Sequence, residues 1–391
     1  MRQSAGNGPI PAPKIEHGTV GEGWQRSQQD EGPWVDASRG EDTPVDRQLG
    51  GEVRQREGHP PRPRRNPRLG FEVLTGRHDR SRVPVLLTGA PRPPNPLTRE
   101  PPLRLVFLGT PDPAVVALRA LVAAGHEVVL VVSRADTRRG RRGRATPSPV
   151  KAAALELGLP VSDRASDVVG FGAELGVVVA YGRIIRPEVL AEIPMVNVHF
   201  SLLPRWRGAA PVERAILAGD AETGVCLMAL DEGLDTGPVY RREVVPIGAN
   251  DTALDLRSKL ARTGASMLVD ALSQGLGEPE AQGDEVTYAA KLDPGELELV
   301  WGMTTEELRR VVRVGRAWTT WRGRRLLVLD ASPEPGDTSG VGRPGDLAGD
   351  VVTTGDGALR LVTVQPEGRR PVAGAEWARG ARPSPGEALG A

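Results

Sequence analysis

Asn197 and His199 stand two apart in the run Val196-Asn197-Val198-His199-Phe200, and Asp235 lies in the Gly-flanked stretch Asp231-Glu232-Gly233-Leu234-Asp235-Thr236-Gly237. Residues two apart on an extended segment share a face. Asn197 and His199 therefore point one way, and Val196, Val198 and Phe200 the other. A side-chain amide donates a hydrogen bond without changing charge, an imidazole titrates near neutrality, and a carboxylate orients a ring or accepts a proton. Those are the parts needed to pass an acyl group between two amines. Each has a plainer reading: a half-buried strand with one wet face for the first pair, and turn chemistry for an Asp before Thr-Gly. Asp231 and Glu232 read as solvated or capping residues, and the single Cys226, in the apolar run Val225–Leu230, as a small core residue.

The elements around these residues decide between the readings. Ser201-Leu202-Leu203-Pro204 ends the strand, Arg205-Trp206-Arg207-Gly208 follows as a loop, and residues 209–218 read as a helix with Pro211 in its first turn. Paired polar residues at a strand's carboxyl end, facing a strand-to-helix loop, sit where open α/β sheets hold their ligands. Upstream, the apolar run Leu103–Leu108 ends in Gly109-Thr110-Pro111-Asp112. A helix is expected from about Pro113 to Ala124, stopped by Gly125, and a second strand from Glu127 to Ser133. This β-α-β pattern predicts a Rossmann-like parallel sheet with right-handed crossovers. The first turn lacks the spaced glycines of a dinucleotide fingerprint, which excludes a nicotinamide-dinucleotide reading. Arg134, Arg138, Arg139, Arg141, Arg142 and Arg144 then form a Gly-rich basic loop; composition alone makes it a solvated loop. A helix is expected over Thr252–Leu272, a linker over Gly275–Gly283, and an amphipathic helix over Thr304–Val314. Leu326–Leu329, Asp350–Thr353 and Leu359–Val364 are short apolar runs between turn clusters, the signature of a small β barrel. Trp301, Trp318 and Trp321 are expected in its packing rather than stacked on bases.

The bulk composition sets the limits. The 391 residues carry 50 Lys plus Arg against 50 Asp plus Glu, so a basic surface must be local. One cysteine excludes an internal disulfide and fits a reducing cytoplasm. No apolar run approaches the roughly 20 residues that span a bilayer, and no paired Cys/His spacing supports a zinc site. Residues 1–102, rich in Gly, Pro, Arg and Asp, lack the apolar content to offset their ordering entropy and are expected to be a disordered extension. They carry no secretion-signal pattern.

The run from Asn197 to Pro211, NVHFSLLPRWRGAAP, with ILAGDAETGV (Ile216–Val225) and DEGLDTG (Asp231–Gly237), closely resembles the methionyl-tRNA formyltransferases of the folate-dependent formyltransferase superfamily. The resemblance continues in LRLVFLGTPDPAV (Leu103–Val115), TPSPVK (Thr146–Lys151), VVVAYG (Val177–Gly182), TYAAKL (Thr287–Leu292) and TGDGALRLVTVQPEG (Thr354–Gly368), covering most of residues 103–391. It implies a formyltransferase domain over 103–280 and an OB-like tRNA-binding domain over 284–391. The implied reaction moves a formyl group from 10-formyltetrahydrofolate to the α-amine of methionine on initiator tRNA, for translation initiation, without metal. Asn197, His199 and Asp235 become the catalytic residues. Val179, Ala180, Tyr181 and Gly182, with Ser201, Leu202, Leu203 and Pro204, become the walls of a folate slot. The arginine loop (Arg138, Arg139, Arg141, Arg142, Arg144), Lys151 and Arg207 become the tRNA-binding surface. A cytoplasmic monomer is expected.

Several positions depart from that pattern. Pro113 replaces an aromatic, Ala135 a proline and Phe200 an alanine, and the stretch between Pro160 and Gly176 is short enough to clip a helix. Two other functions compete: a formyltransferase on a small amine (an amino-sugar nucleotide or glycinamide ribonucleotide), or a non-catalytic RNA-binding protein on the same scaffold. The RWRGAAP form and the arginine loop argue against the first, and an intact Asn197, His199 and Asp235 against the second.

Overall fold

In the computed structural model, described at residues 102–138, 145–335, 342–384 and 386–390, the chain builds a seven-stranded sheet and then a smaller antiparallel one. The disordered extension expected before Leu103, and Arg139, Arg141, Arg142 and Arg144, lie outside the described residues except for Pro102.

The first part runs β1 (Arg104–Gly109), α1 (Asp112–Ala123), β2 (Glu127–Val132), β3 (Thr137–Arg138), β4 (Ala145–Thr146), α2 (Pro149–Glu156), β5 (Val161–Ser162), β6 (Leu175–Val179), α3 (Pro187–Glu192), β7 (Met195–His199), β8 (Arg207–Gly208), α4 (Pro211–Ala218), β9 (Glu222–Ala229), β10 (Val239–Pro246) and α5 (Ala253–Gln274). The sheet order is β10-β9-β7-β6-β1-β2-β5. The five strands from β7 to β5 are parallel, while β9 and β10 are antiparallel to their neighbours. Its central strands are near-continuous apolar runs because helices cover both faces. Leu105 and Phe107 of β1 join one buried cluster with α1 and α5; Val106 and Leu108 join the cluster on the opposite face. The chain lays β1, β2 and β5 outward, then returns to place β6 and β7 on the other side of β1. That reversal puts the topological switch point between β1 and β6. Across it, Thr110 Oγ1 donates to the Tyr181 carbonyl at 3.0 Å.

The departures noted in the sequence are absorbed locally. Pro113 sits in the first turn of α1, where its missing N–H costs nothing. Phe200 is buried in the α5-side core, near Gly264, and faces away from His199. The short stretch after β5 forms a 3-10 turn over Ala165–Val168 in place of a full helix.

The second part runs β11 (Tyr288–Ala289), α6 (Thr305–Val314), β12 (Trp318–Trp321), β13 (Arg324–Pro333), β14 (Leu347–Ala348), β15 (Val351–Thr353), β16 (Ala358–Pro366), β17 (Val372–Ala373) and α7 (Gly374–Ala381). The expected barrel strands form an antiparallel path β12-β13-β16-β15-β14, with β17 added to β16. Trp301 is buried, its indole N–H donating to Thr319 Oγ1 at 3.1 Å; Trp321 meets Trp377 edge-on at 5.6 Å. Arg325 lies over the half-buried Trp318 ring at 4.3 Å.

The described residues belong to one compact unit across the two sheets. Arg313 of α6 donates to the carbonyls of Asp251 and Gly248 at 2.8 and 3.1 Å, and Arg214 of α4 pairs with Glu296. Among the described residues no helix is long and apolar enough to cross a membrane.

Candidate active site

β7 carries Asn197 and His199 to the carboxyl edge of the sheet, one strand from the switch point, with Val196 and Val198 buried behind them. His199 is 6% exposed. Its Nε2 lies 2.9 Å from the Trp206 carbonyl, and a carbonyl can only accept, so Nε2 carries a proton. The other ring nitrogen, Nδ1, lies 3.6 Å from Asp235 Oδ2. Asp235 therefore reaches His199 from a loop 36 positions on.

Asp235 is itself held. The Gly208 N–H donates to the same Oδ2 at 2.8 Å, and no described residue hydrogen-bonds to Oδ1. Asp235 and Trp206 both adopt left-handed backbone, φ 52° and 63°. Non-glycine residues there cost about 1 kcal/mol or more, and such outliers concentrate at functional sites. Asp231 caps the turn as expected, accepting from Gly233 N at 3.1 Å and from Thr236 Oγ1. Gly237 has no room for a side chain, since a Cβ would collide with the Ala229 carbonyl.

The Asn197 amide makes no hydrogen bond with another described residue and is half-buried on the His199 side of β7. Among the described residues no cluster of His, Cys, Asp and Glu suits a metal.

The loop after β7 is built from far along the chain. Trp206 N donates to Thr287 Oγ1 at 2.8 Å, and β8 pairs with β11 in parallel, Arg207 against Tyr288 and Gly208 against Ala289. Gly208 has φ 125°, and a Cβ there would meet the Ala289 carbonyl at 2.8 Å. Asp220 fastens the outer side, accepting from the Arg205 guanidinium and from Trp206 Nε1.

Three expected contacts are placed differently. Arg207 is 9% exposed rather than part of a basic surface; its Nε and Nη2 donate to Gln282 Oε1 at 3.0 and 2.7 Å. Ser201 is fully buried, and its hydroxyl donates to the Arg205 carbonyl, so it staples the loop instead of reaching a ligand. Lys151 pairs with Asp136, so its charge is answered locally. Arg138 is exposed at the described end of the arginine loop. Leu203 packs with Cys226, Met228 and Val239, and burial pushes the Cys226 thiol up, keeping it a neutral core residue. The carbonyls of Leu202 and Pro204 accept from Arg205 N and Thr287 N. On the other wall Val179 and Tyr181 are buried, Ala180 is left-handed at φ 46°, and the Gly182 carbonyl accepts from Arg134 at 2.9 Å. Burial raises the Tyr181 phenol, against the pull of Arg183 and Arg134. The residue sequence reasoning missed is Gln282, read only as part of a linker.

The class follows from residue-level matches laid over this geometry. The family model described as formyl transferase matches residues 103–272, and the one described as formyl transferase, C-terminal domain, matches residues 291–382. The solved structure of HypX from Aquifex aeolicus in complex with tetrahydrofolic acid shares the fold, with a TM-score of 0.52 at 18% identity over 70% of this chain and 46% of that one. An N-formyltransferase from Helicobacter canadensis does likewise, with a TM-score of 0.52 at 17% identity over 68% of this chain and 99% of that one. A methionyl-tRNA formyltransferase from Jannaschia sp. is 44% identical over 306 residues, which is 73% of this chain and all of the relative. The chain belongs to the methionyl-tRNA formyltransferase family.

Proposed function

We propose that this enzyme transfers the formyl group of 10-formyltetrahydrofolate to the α-amine of methionine on initiator methionyl-tRNA, as a cytoplasmic monomer serving translation initiation. The observation that carries the reading is the 3.6 Å approach of Asp235 Oδ2 to His199 Nδ1, on the face of β7 where the Asn197 amide stands unpartnered. The amine nitrogen bonds to the formyl carbon as that carbon's bond to folate N10 breaks. Negative charge gathers on the carbonyl oxygen, where the Asn197 amide supplies a donor; one such donor is worth about 3–4 kcal/mol. The amine gives up one proton and N10 gains one. Asp235, with Oδ1 open, and His199 are the groups that accept and relay it, directly or through water. Folate lies against the backbone of Val179–Gly182 and the loop Ser201–Pro204, at the switch point where α/β sheets hold ligands. Ser201 and Leu203 shape that wall from behind. The tRNA acceptor end meets Arg138 and the arginines that follow it in the sequence; guanidinium groups pair with RNA phosphates and stack on bases.

The test is transfer of labelled formyl from 10-formyltetrahydrofolate to purified initiator methionyl-tRNA, with a thymidine-diphosphate amino sugar and glycinamide ribonucleotide as parallel acceptors. Label on methionyl-tRNA alone is the expected result. Label on a small amine instead overturns the substrate assignment, and no transfer to any acceptor favours an RNA-binding protein on a decayed scaffold.

A further inference from the structure

We propose that Gln282 and Arg207 form a positioning pair for the Asp235 carboxylate, which makes the segment leading into the second sheet a wall of the active site. The proposal rests on the role given to Asp235 above. A side-chain amide has two N–H groups and two lone pairs, and Gln282 uses all four. Its Nε2 donates to the carbonyls of Asp235 and Gly237 at 2.8 and 2.7 Å, and its Oε1 accepts from Arg207 Nε and Nη2 at 3.0 and 2.7 Å. Arg207 is buried, and no carboxylate among the described residues pairs with it. A cation bound to the amide oxygen polarises the amide and strengthens its N–H donors, because linked hydrogen bonds reinforce one another where water is excluded.

The geometry gives those donors a task. They grip the backbone of the Asp235 turn, whose left-handed residue at φ 52° would otherwise relax. The residue after Arg207 is Gly208, whose N–H holds the Asp235 carboxylate. Arg207 and Gly208 are in turn fixed by Tyr288 and Ala289, a few residues past Gln282. Asp235 is thus held by its backbone and by its side chain, and both holds trace to residues 282–289. Gln282 touches no reacting atom in this scheme; it acts by setting the distance from Asp235 to His199.

The experiment uses the full chain with Gln282→Ala and Gln282→Glu. The glutamate variant keeps an acceptor for Arg207, so that cation is not left unpaired, but it sets a carboxylate oxygen against the two carbonyls in place of the donor. Both variants are expected to lose about 10- to 100-fold in kcat, with KM for methionyl-tRNA and for the folate donor moving less than about threefold. In an Asp235→Asn background the further loss on adding Gln282→Glu is expected to vanish, since the pair acts through that carboxylate. Hydrogen exchange of the Gly208 amide and of residues 231–237 is expected to quicken about tenfold or more, a readout that needs no substrate. Undiminished kcat in Gln282→Glu, equal losses in both backgrounds, or unchanged exchange overturns the proposal. Wild-type protein that transfers no formyl group sinks the functional reading, while the exchange measurement still judges the clamp.

Discussion

At the scale of single residues, the site divides its labour between a neutral donor and a paired ring and carboxylate. Asn197 has no partner to lose among the described residues, so Asn197→Ala strands no buried group there and removes a donor on the His199 side of β7. The expected outcome is a fall in kcat of about 100- to 1000-fold with the fold intact, read from single-turnover formyl transfer and a thermal melt. A smaller loss would mean that the formyl oxygen is held elsewhere. That Asn197 and His199 share a face was legible from the strand period, but the role given to them and to Asp235 came from the family resemblance, because period and turn chemistry alone suit a half-wet strand and a turn aspartate as well. What completes the site was not legible. The Trp206 carbonyl and Gly208 N–H that fix His199 and Asp235 are backbone groups, which every sequence has everywhere. Arg207 reads as a surface cation because a loop rich in arginine is usually wet. Its burial depends on Gln282, 75 positions away, and no local pattern announces that pairing.

At the scale of elements, legibility follows how much of an element's reason is local. α6 carries its own: Thr304 caps it, Glu307 returns the bond to the Thr304 N–H, and Leu308, Val311 and Val312 face inward. Thr304→Ala is expected to cost about 1 kcal/mol, seen as a thermal midpoint lowered by a few degrees. The loss should stop there, because Asp356 still accepts from the Thr305 N–H at 2.7 Å. A drop well beyond this would show that the cap also holds α6 against the first sheet. β1, β2, α1 and α5 were likewise readable within a residue or two, each an apolar pattern closed by a turn or cap. β8 and β11 were not readable as strands. Each is two residues long and exists only because the other lies beside it, 81 positions away. The short turn at Ala165–Val168 answers the missing length between Pro160 and Gly176, which cannot hold a full helix and still return to β6.

At the scale of the whole molecule, carboxylates that the fold keeps ionised hold the contact between the two parts, Glu296 directly through Arg214 and Asp251 by fixing the turn whose carbonyls take Arg313, and this makes that contact sensitive to acid. The Arg214 guanidinium holds Glu296 below the usual carboxylate range, although partial burial pulls the other way. Burial pushes Asp251 up, but Lys259, the Gly248 N–H and Arg313 together outweigh it and bring the group below its ordinary value. Glu296 meets α4 through Arg214, and Asp251 lies just before α5, beside Arg313 of α6. A carboxyl with a lower pKa folded than unfolded contributes stability that is fully present above the unfolded value, near 4, and is lost as pH falls toward the folded one. The thermal midpoint is therefore expected to stay level from about pH 8 to pH 6 and to fall below about pH 4. Glu387, pushed down to about 2 by Arg322 and the Ser384 N–H, adds to the same slope from the segment after α7. The double variant Glu296→Gln, Asp251→Asn should then begin less stable at neutral pH and descend less steeply in acid, without becoming flat. Parallel melting curves for variant and wild type across that window would place the acid sensitivity elsewhere. A shallower curve for the variant would instead tie it to these two carboxylates and so to the contact between the two parts.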